Sequence, residues 1–306
     1  MGMTGRCGAA LLVWLLAALP VAAFARTPPL LGAMPPQAPA IMTLAAPDPA
    51  LAVIDAAIAE GRFEAASDVL QRTLSLRPGP QLQLRVAELA LARGALAEAA
   101  TGFADLVADS AVAALALQGL GITRLRQGDV VAARTAIDAA LAVDAGLLRA
   151  WNVRAVLADR QRDFAAADLA YAAALALDPR AAMLHANQGY SLLLRGRHAD
   201  AETALQAALA FDPGLAAATT NLRLARALQG HYREAFAGST RAGLAADLNT
   251  VGFAAMARGD HAVAEGYFNR ALSLNPRFDP VAFANLGYLK SLTEPLGTGV
   301  GEDLTR

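Results

Sequence analysis

Apolar residues along most of this chain return every three or four positions, the spacing of an amphipathic helix. The stretch LLRAWNVRAVLADRQRDFAAADLAYAAALALDPRA, residues 147–181, shows the pattern at its clearest. It predicts two alanine-rich helices joined at Arg162-Asp163-Phe164 and stopped by Asp178-Pro179. Proline ends a helix because it lacks the backbone donor and its ring clashes with the preceding turn. Neither half is long enough to bury its apolar face alone, so something else in the chain must cover it.

The cover is more of the same unit. Placing the other segments in register puts the turn between helical halves at Gly61, Gly94, Gly128, Arg162, Gly196, Gly230 and Gly259, at intervals of 33, 34, 34, 34, 34 and 29. Five residues beyond each turn stands an alanine: Ala66, Ala99, Ala133, Ala167, Ala201, Ala235 and Ala264. Seven further on, small residues recur at Ala140, Ala174, Ala208, Ala242 and Ala271, and units end at Pro78, Pro179, Pro213 and Pro276. Glycine reverses the chain through the left-handed region, and small side chains let two antiparallel helices approach closely.

A 34-residue helix–turn–helix period resembles the tetratricopeptide repeat. Residues 148–181 match it at Trp151, Ala167, Tyr171, Ala174 and Pro179; residues 182–215 at Gly189, Ala201, Ala208 and Pro213; residues 245–278 at Gly252, Ala264, Phe268, Ala271 and Pro276. The resemblance implies an all-α fold, a right-handed superhelical solenoid of stacked antiparallel helix pairs. It would occupy residues 48–292, about seven units plus a C-terminal capping helix in RFDPVAFANLGYLKSL. The first two units, 47–113, are degenerate. The unit 216–244 is about five residues short, STRAGLAADLN standing where a full second helix belongs, which predicts a kink.

The two ends read differently. Residues 1–25 carry Arg6, an apolar run from Gly8 to about Ala22 and the small-x-small site Ala23-Phe24-Ala25, the layout of a secretory signal peptide. An uncleaved anchor is the other reading of that stretch. The sole cysteine, Cys7, precedes the apolar core and is not placed for lipidation at a cleavage point; cleavage after Ala25 would leave no cysteine for disulfide or thiolate chemistry. Residues 26–47 hold six prolines and read as a linker, and residues 293–306, glycine-rich and polar, as a flexible tail. The expected location is the periplasm, with the outer membrane reached only through partners or an uncleaved signal.

A narrower resemblance covers residues 182–292. NQGYSLLLRGRHADAETALQAALAFDPGLAAATTNLRLARALQGHYREAF and VGFAAMARGDHAVAEGYFNRALSLNPRF are similar to the TadD proteins of tight-adherence (Flp) pilus assembly. That resemblance implies a secreted, non-catalytic scaffold whose partners are envelope or pilus assembly components. TadD proteins are lipoproteins, and this chain has no lipobox cysteine. The alternatives are a repeat module of a polysaccharide synthesis or export system, or a general periplasmic adaptor.

Composition narrows the chemistry. With 26 basic and 27 acidic residues the chain lacks the clustered cationic charge that nucleic acid demands. His198, His231 and His261 each follow a turn by one or two residues, a slot filled elsewhere by Phe63, Phe164 and Tyr232, so they read as packing rings on separate repeats and not as a metal site. His185 takes the slot of Trp151. No nucleophile elbow, phosphate loop or zinc-protease motif occurs, and GTGVG at 297–301 has no helix after it. Asp159, Asp163 and Asp168 among Arg154, Arg160 and Arg162 read as a solvated ionic face. The expectation is no enzyme, no cofactor, no metal and no small-molecule substrate.

Surface for binding remains. In this repeat the first helix of each unit lines a groove, where an extended partner brings backbone groups needing hydrogen bonds. Asn187 and Asn221 share one first-helix slot, Asn152 lies one residue earlier in its unit, and Asn285 holds a similar place in the cap. An asparagine offers both donor and acceptor. The resemblance implies partner contact at Asn152, Asn187 and Asn221. The same asparagines could instead bond within the stack. Tyr190, Leu193, Leu224 and Phe253 would form an apolar floor, and Arg149 and Arg160 are the cations available to a carboxylate clamp whose full set is not evident.

Overall fold

The structure is a computed structural model that describes residues 48–274 and 279–293. The signal peptide, the linker, Pro276 and the tail from residue 294 onward lie outside the described residues. Within them the chain forms fifteen helices and no strand. These are α1 (Pro49–Ala59), α2 (Phe63–Leu76), α3 (Pro80–Arg93), α4 (Leu96–Ala104), α5 (Ala113–Arg126), α6 (Val130–Val143), α7 (Leu148–Arg160) and α8 (Phe164–Leu177). They continue as α9 (Ala182–Leu194), α10 (His198–Phe211), α11 (Ala216–Leu228), α12 (Tyr232–Ala235), α13 (Leu244–Arg258), α14 (His261–Leu274) and the capping helix α15 (Pro280–Thr293).

All seven turn positions adopt positive φ, from 60° at Arg162 to 87° at Gly128. Each turn closes the same way: the amide one residue past the turn position reaches five residues back, as from Ala95 to the Ala90 carbonyl at 2.9 Å and from His231 to Arg226 at 2.9 Å. This is the Schellman closure, which satisfies carbonyls that a helix end leaves unpaired. Two second helices are then started by an aspartate: Asp129 accepts from the Ala132 amide at 3.0 Å and Asp163 from Ala166 at 3.1 Å. Unit ends repeat a second motif, in which Asp144, Asp178 and Asp212 accept from the amide two residues on.

The helices group into an N-terminal unit ending at Asn187 and a C-terminal unit from Gln188, with the boundary inside α9. In the N-terminal unit α1, α3, α5 and α7 touch in order, and α2, α4 and α6 each pack between their own first helix and the next. The seven aligned alanines are all buried, as the close approach of paired helices requires. One turn further along the same helices, large rings fill the pair interfaces in several repeats. Phe103, Tyr171 and Phe268 are fully buried, each stabilising its repeat by about 1.5–3 kcal/mol through apolar area removed from water. Small residues face these positions: a Cβ built on Gly121 would lie 2.6 Å from Ile137 Cγ1, and one on Gly189 2.6 Å from Leu205 Cγ.

The C-terminal unit departs from the period where the sequence is short. α12 has only four residues, and residues 236–243 are irregular. Ala242, aligned with the buried small residues, is exposed, because the helix that would bury it has already ended. In its place α11 and α13, both first helices, pack directly on one another. Arg223 fills the vacated interior: its Nε donates to the Ala235 carbonyl at 3.1 Å and its Nη1 pairs with Asp247 at 2.8 Å.

One further expectation changes. Asp159 is not part of a solvated face; it is buried and accepts a 2.9 Å hydrogen bond from the Tyr171 hydroxyl. A tyrosine buried in a pair interface needs an acceptor for its hydroxyl, and Asp159 on the facing helix supplies it.

Candidate binding surface

In the N-terminal unit the first helices carry a line of buried and half-buried polar side chains. Asp55 lies on α1, Arg85 and Glu88 on α3, Gln118 on α5, Arg149 and Asn152 on α7, and Asn187 on α9. The Arg85 guanidinium donates through Nε and Nη2 to both Asp55 oxygens at 2.9 Å, and through Nη1 to Gln81 at 3.1 Å. Burial works against the Arg85 charge, but the Asp55 carboxylate outweighs it and holds the guanidinium pKa above its usual value. This fork is a satisfied ion pair with planar bidentate geometry.

Glu88 is served differently. Its Oε1 stands 3.9 Å from Arg149 Nη1, beyond hydrogen-bond reach, and its Oε2 is buried with no partner. Burial pushes the Glu88 carboxyl up, against the pull of Arg149 and Arg85. The same burial pushes the Arg149 guanidinium down. Gln118, 1% exposed, likewise has an Oε1 with no partner.

Further along, Asn187 donates through Nδ2 to Asn152 Oδ1 at 2.9 Å, a buried bond between neighbouring repeats. The structure thus brings these two candidate residues together, each already engaged within the stack. In the C-terminal unit Tyr190 is half-buried, while Leu193, Asn221, Leu224 and Phe253 are buried on the first helices. Asn285 is buried on the cap. Arg149 faces Glu88, and Arg160 is exposed at the end of α7, so the two do not converge as a clamp.

The aromatic slot behaves as the sequence suggests. Trp151 Nε1 donates to the Ala145 carbonyl at 2.8 Å, and His185 Nε2 lies 2.9 Å from the Pro179 carbonyl, each six residues back in the preceding turn. Among the described residues no group of three His, Cys, Asp or Glu is placed to hold a metal, and no helix is long and apolar enough to cross a membrane. A groove of about 560 Å³ between α3 and α4 is lined by Gln83, Val86, Glu98, Thr101 and Asp105 among others.

Sequence reasoning passed over Asp55, Arg85 and Glu88 because the first two units look degenerate, and it passed over Gln118 in the third. It also passed over arginines that tie one repeat to the one before. Arg126 Nη1 donates to the Leu91 carbonyl at 2.6 Å, and Arg258 Nη1 to Leu228 at 2.9 Å. The available signal was an arginine recurring at the last turn of first helices, at Arg93, Arg126, Arg160, Arg226 and Arg258.

The tetratricopeptide repeat model matches residues 51–114, 119–169 and 152–216, more than half of the chain. The chain belongs to the tetratricopeptide repeat family. No curated protein matches it. Among solved structures it is similar to a tetratricopeptide repeat protein from Parabacteroides merdae, 14% identical with a TM-score of 0.51 over 79% of this chain and 97% of that one. It is similar to the C-terminal part of a tetratricopeptide repeat protein from Cytophaga hutchinsonii, 13% identical with a TM-score of 0.51 over 77% and 99%. The APC/C hetero-tetramer Cut9–Hcn1 aligns at 15% identity and a TM-score of 0.61 over 77% of this chain and 48% of that one. At such identities the likeness is one of fold. Stacked tetratricopeptide repeats form extended surfaces that mediate contacts between proteins.

Proposed function

We propose that this tetratricopeptide repeat chain is an exported, non-catalytic scaffold that holds partner proteins during assembly of an envelope machine of the tight-adherence (Flp) pilus type. Membership of the repeat family supports the protein-binding part, and it is the observation that carries the reading. The signal-peptide pattern of residues 1–25 supports export, and the TadD-like wording of residues 182–292 supports the pilus. The line of polar groups on the first helices supplies hydrogen-bonding capacity. Of the five groove candidates, Tyr190 keeps a partly exposed side chain for direct contact. Asn152 and Asn187 are engaged with one another within the stack, and Asn221 and Phe253 are buried.

The test is recovery of partners from envelope extract by the affinity-tagged chain in its native cell. Pilin, secretin or secretion-ATPase components should be enriched, and Tyr190→Ala should weaken that enrichment. Recovery of glycosyltransferases and export porins instead would replace the pilus assignment with polysaccharide export.

A further inference from the structure

Glu88 and Asp55 occupy the same slot of successive repeats, each six residues before its turn glycine, Gly94 and Gly61. The next first helix answers them differently. Thirty residues after Asp55 stands Arg85, whose guanidinium forks onto both carboxylate oxygens at 2.9 Å. Thirty residues after Glu88 stands Gln118, whose neutral amide leaves its own Oε1 without a partner. Glu88 Oε2 is unpartnered as well, and the nearest cation, Arg149, sits at 3.9 Å. Two buried acceptors with no donor are a standing cost to the fold, and such groups in a native interior call for a specific explanation. The next first helix therefore offers Glu88 a neutral amide where it offers Asp55 a cation, and the Arg149 contact at 3.9 Å leaves Oε2 unpartnered.

We propose that Glu88 and Gln118 receive a basic side chain of the partner protein, a lysine ammonium or arginine guanidinium, in the place that Arg85 takes beside Asp55. The proposal rests on the scaffold reading and names the chemistry of what the scaffold holds. The Glu88 and Arg149 side chains are 11% and 16% exposed, so a ligand reaches Glu88 when Arg149 turns out to solvent. That exchange replaces a contact beyond hydrogen-bond distance with a donor for the orphan Glu88 Oε2. A neutral or acidic side chain would leave Glu88 buried and uncompensated, which makes the slot selective for positive charge.

The test uses the full chain and four acetylated, amidated undecapeptides of alanine and serine, identical except for a central arginine, lysine, norleucine or glutamate. Binding is measured by calorimetry. The wild type should bind the arginine or lysine peptide at least tenfold more tightly than the norleucine and glutamate peptides, and the better of the two basic peptides identifies the group. Glu88→Gln should abolish that preference. Gln118→Arg supplies the missing cation from within the chain; it should abolish the preference too, while leaving the thermal midpoint at or above that of the wild type. Equal binding of all four peptides, no binding of any, or a basic preference that survives Glu88→Gln overturns the proposal. The scaffold reading is judged separately, by partner recovery from envelope extract, which does not depend on the residue presented to this slot.

Discussion

Arg223 pairs with Asp247 at 2.8 Å from a slot that glycine or alanine fills in five of the six other repeats, Ile54 being the exception. Seven residues before the turn stand Ala87, Gly121, Ala155, Gly189 and Gly252, and at the three glycines the facing second helix leaves no room for a Cβ. In the short repeat that helix ends after four residues, and the arginine occupies the space it gives up. The pair is largely enclosed, with side-chain exposures of 6% and 13%. Arg223→Ala removes one partner of a buried pair and should cost about 3–5 kcal/mol, while Arg223→Ala with Asp247→Ala should cost less. Hydrogen exchange is the measurement: protection of residues 216–258 should fall in the single variant, with residues 48–187 unchanged, because repeat arrays open locally.

The turns offer a cleaner backbone test. A Cβ on Gly128 would meet nothing within 4 Å, so the penalty of Gly128→Ala comes from φ alone. It should be about 1–2 kcal/mol. Arg162 is the non-glycine residue at this conformation among the described residues. Arg162→Gly relieves the left-handed strain but adds freedom to the unfolded chain, so its gain should be smaller, under about 1 kcal/mol. Urea midpoints of the two variants should move in opposite directions.

Asn152 and Asn187 make a third. A double-mutant cycle with alanine at each should return a coupling of about 1 kcal/mol, the net worth of one buried neutral hydrogen bond. A coupling near zero would mean that the bond between the two amides adds nothing to repeat stacking.

Glu88 gives the pH dependence its sign. Burial raises its folded pKa above the unfolded value, so the folded state binds the extra proton. Stability linked to this group is then greatest below the unfolded pKa of about 4.3 and falls as pH rises towards the raised folded value. Urea midpoints taken from pH 4 upward should show that decline in the wild type. The Glu88→Gln variant should lack it, because the glutamine does not titrate.

The fold was legible because its signals are local and repeated. Gly61, Gly94, Gly128, Gly196, Gly230 and Gly259 mark turns by conformational need, and so does Arg162, which only the period could have revealed. Aligned alanines mark contacts that admit nothing larger. Asp159 was misread as surface because its acceptor role depends on Tyr171, twelve residues on and across a helix turn. Ala242 was misread because the period says where a small residue recurs but not that the helix carrying it has stopped.

Local spacing along the chain by itself determined that helices pair, where they turn and which small residues sit between them, since each depends on groups within one unit. Only the tertiary structure decided which polar side chains are spent. Asp55 finds Arg85, Asn152 finds Asn187, Arg223 finds Asp247, and Glu88 is left short. A side chain's hydrogen-bond balance depends on what the neighbouring repeat presents a few ångströms away, and that distance exists only once the units are stacked.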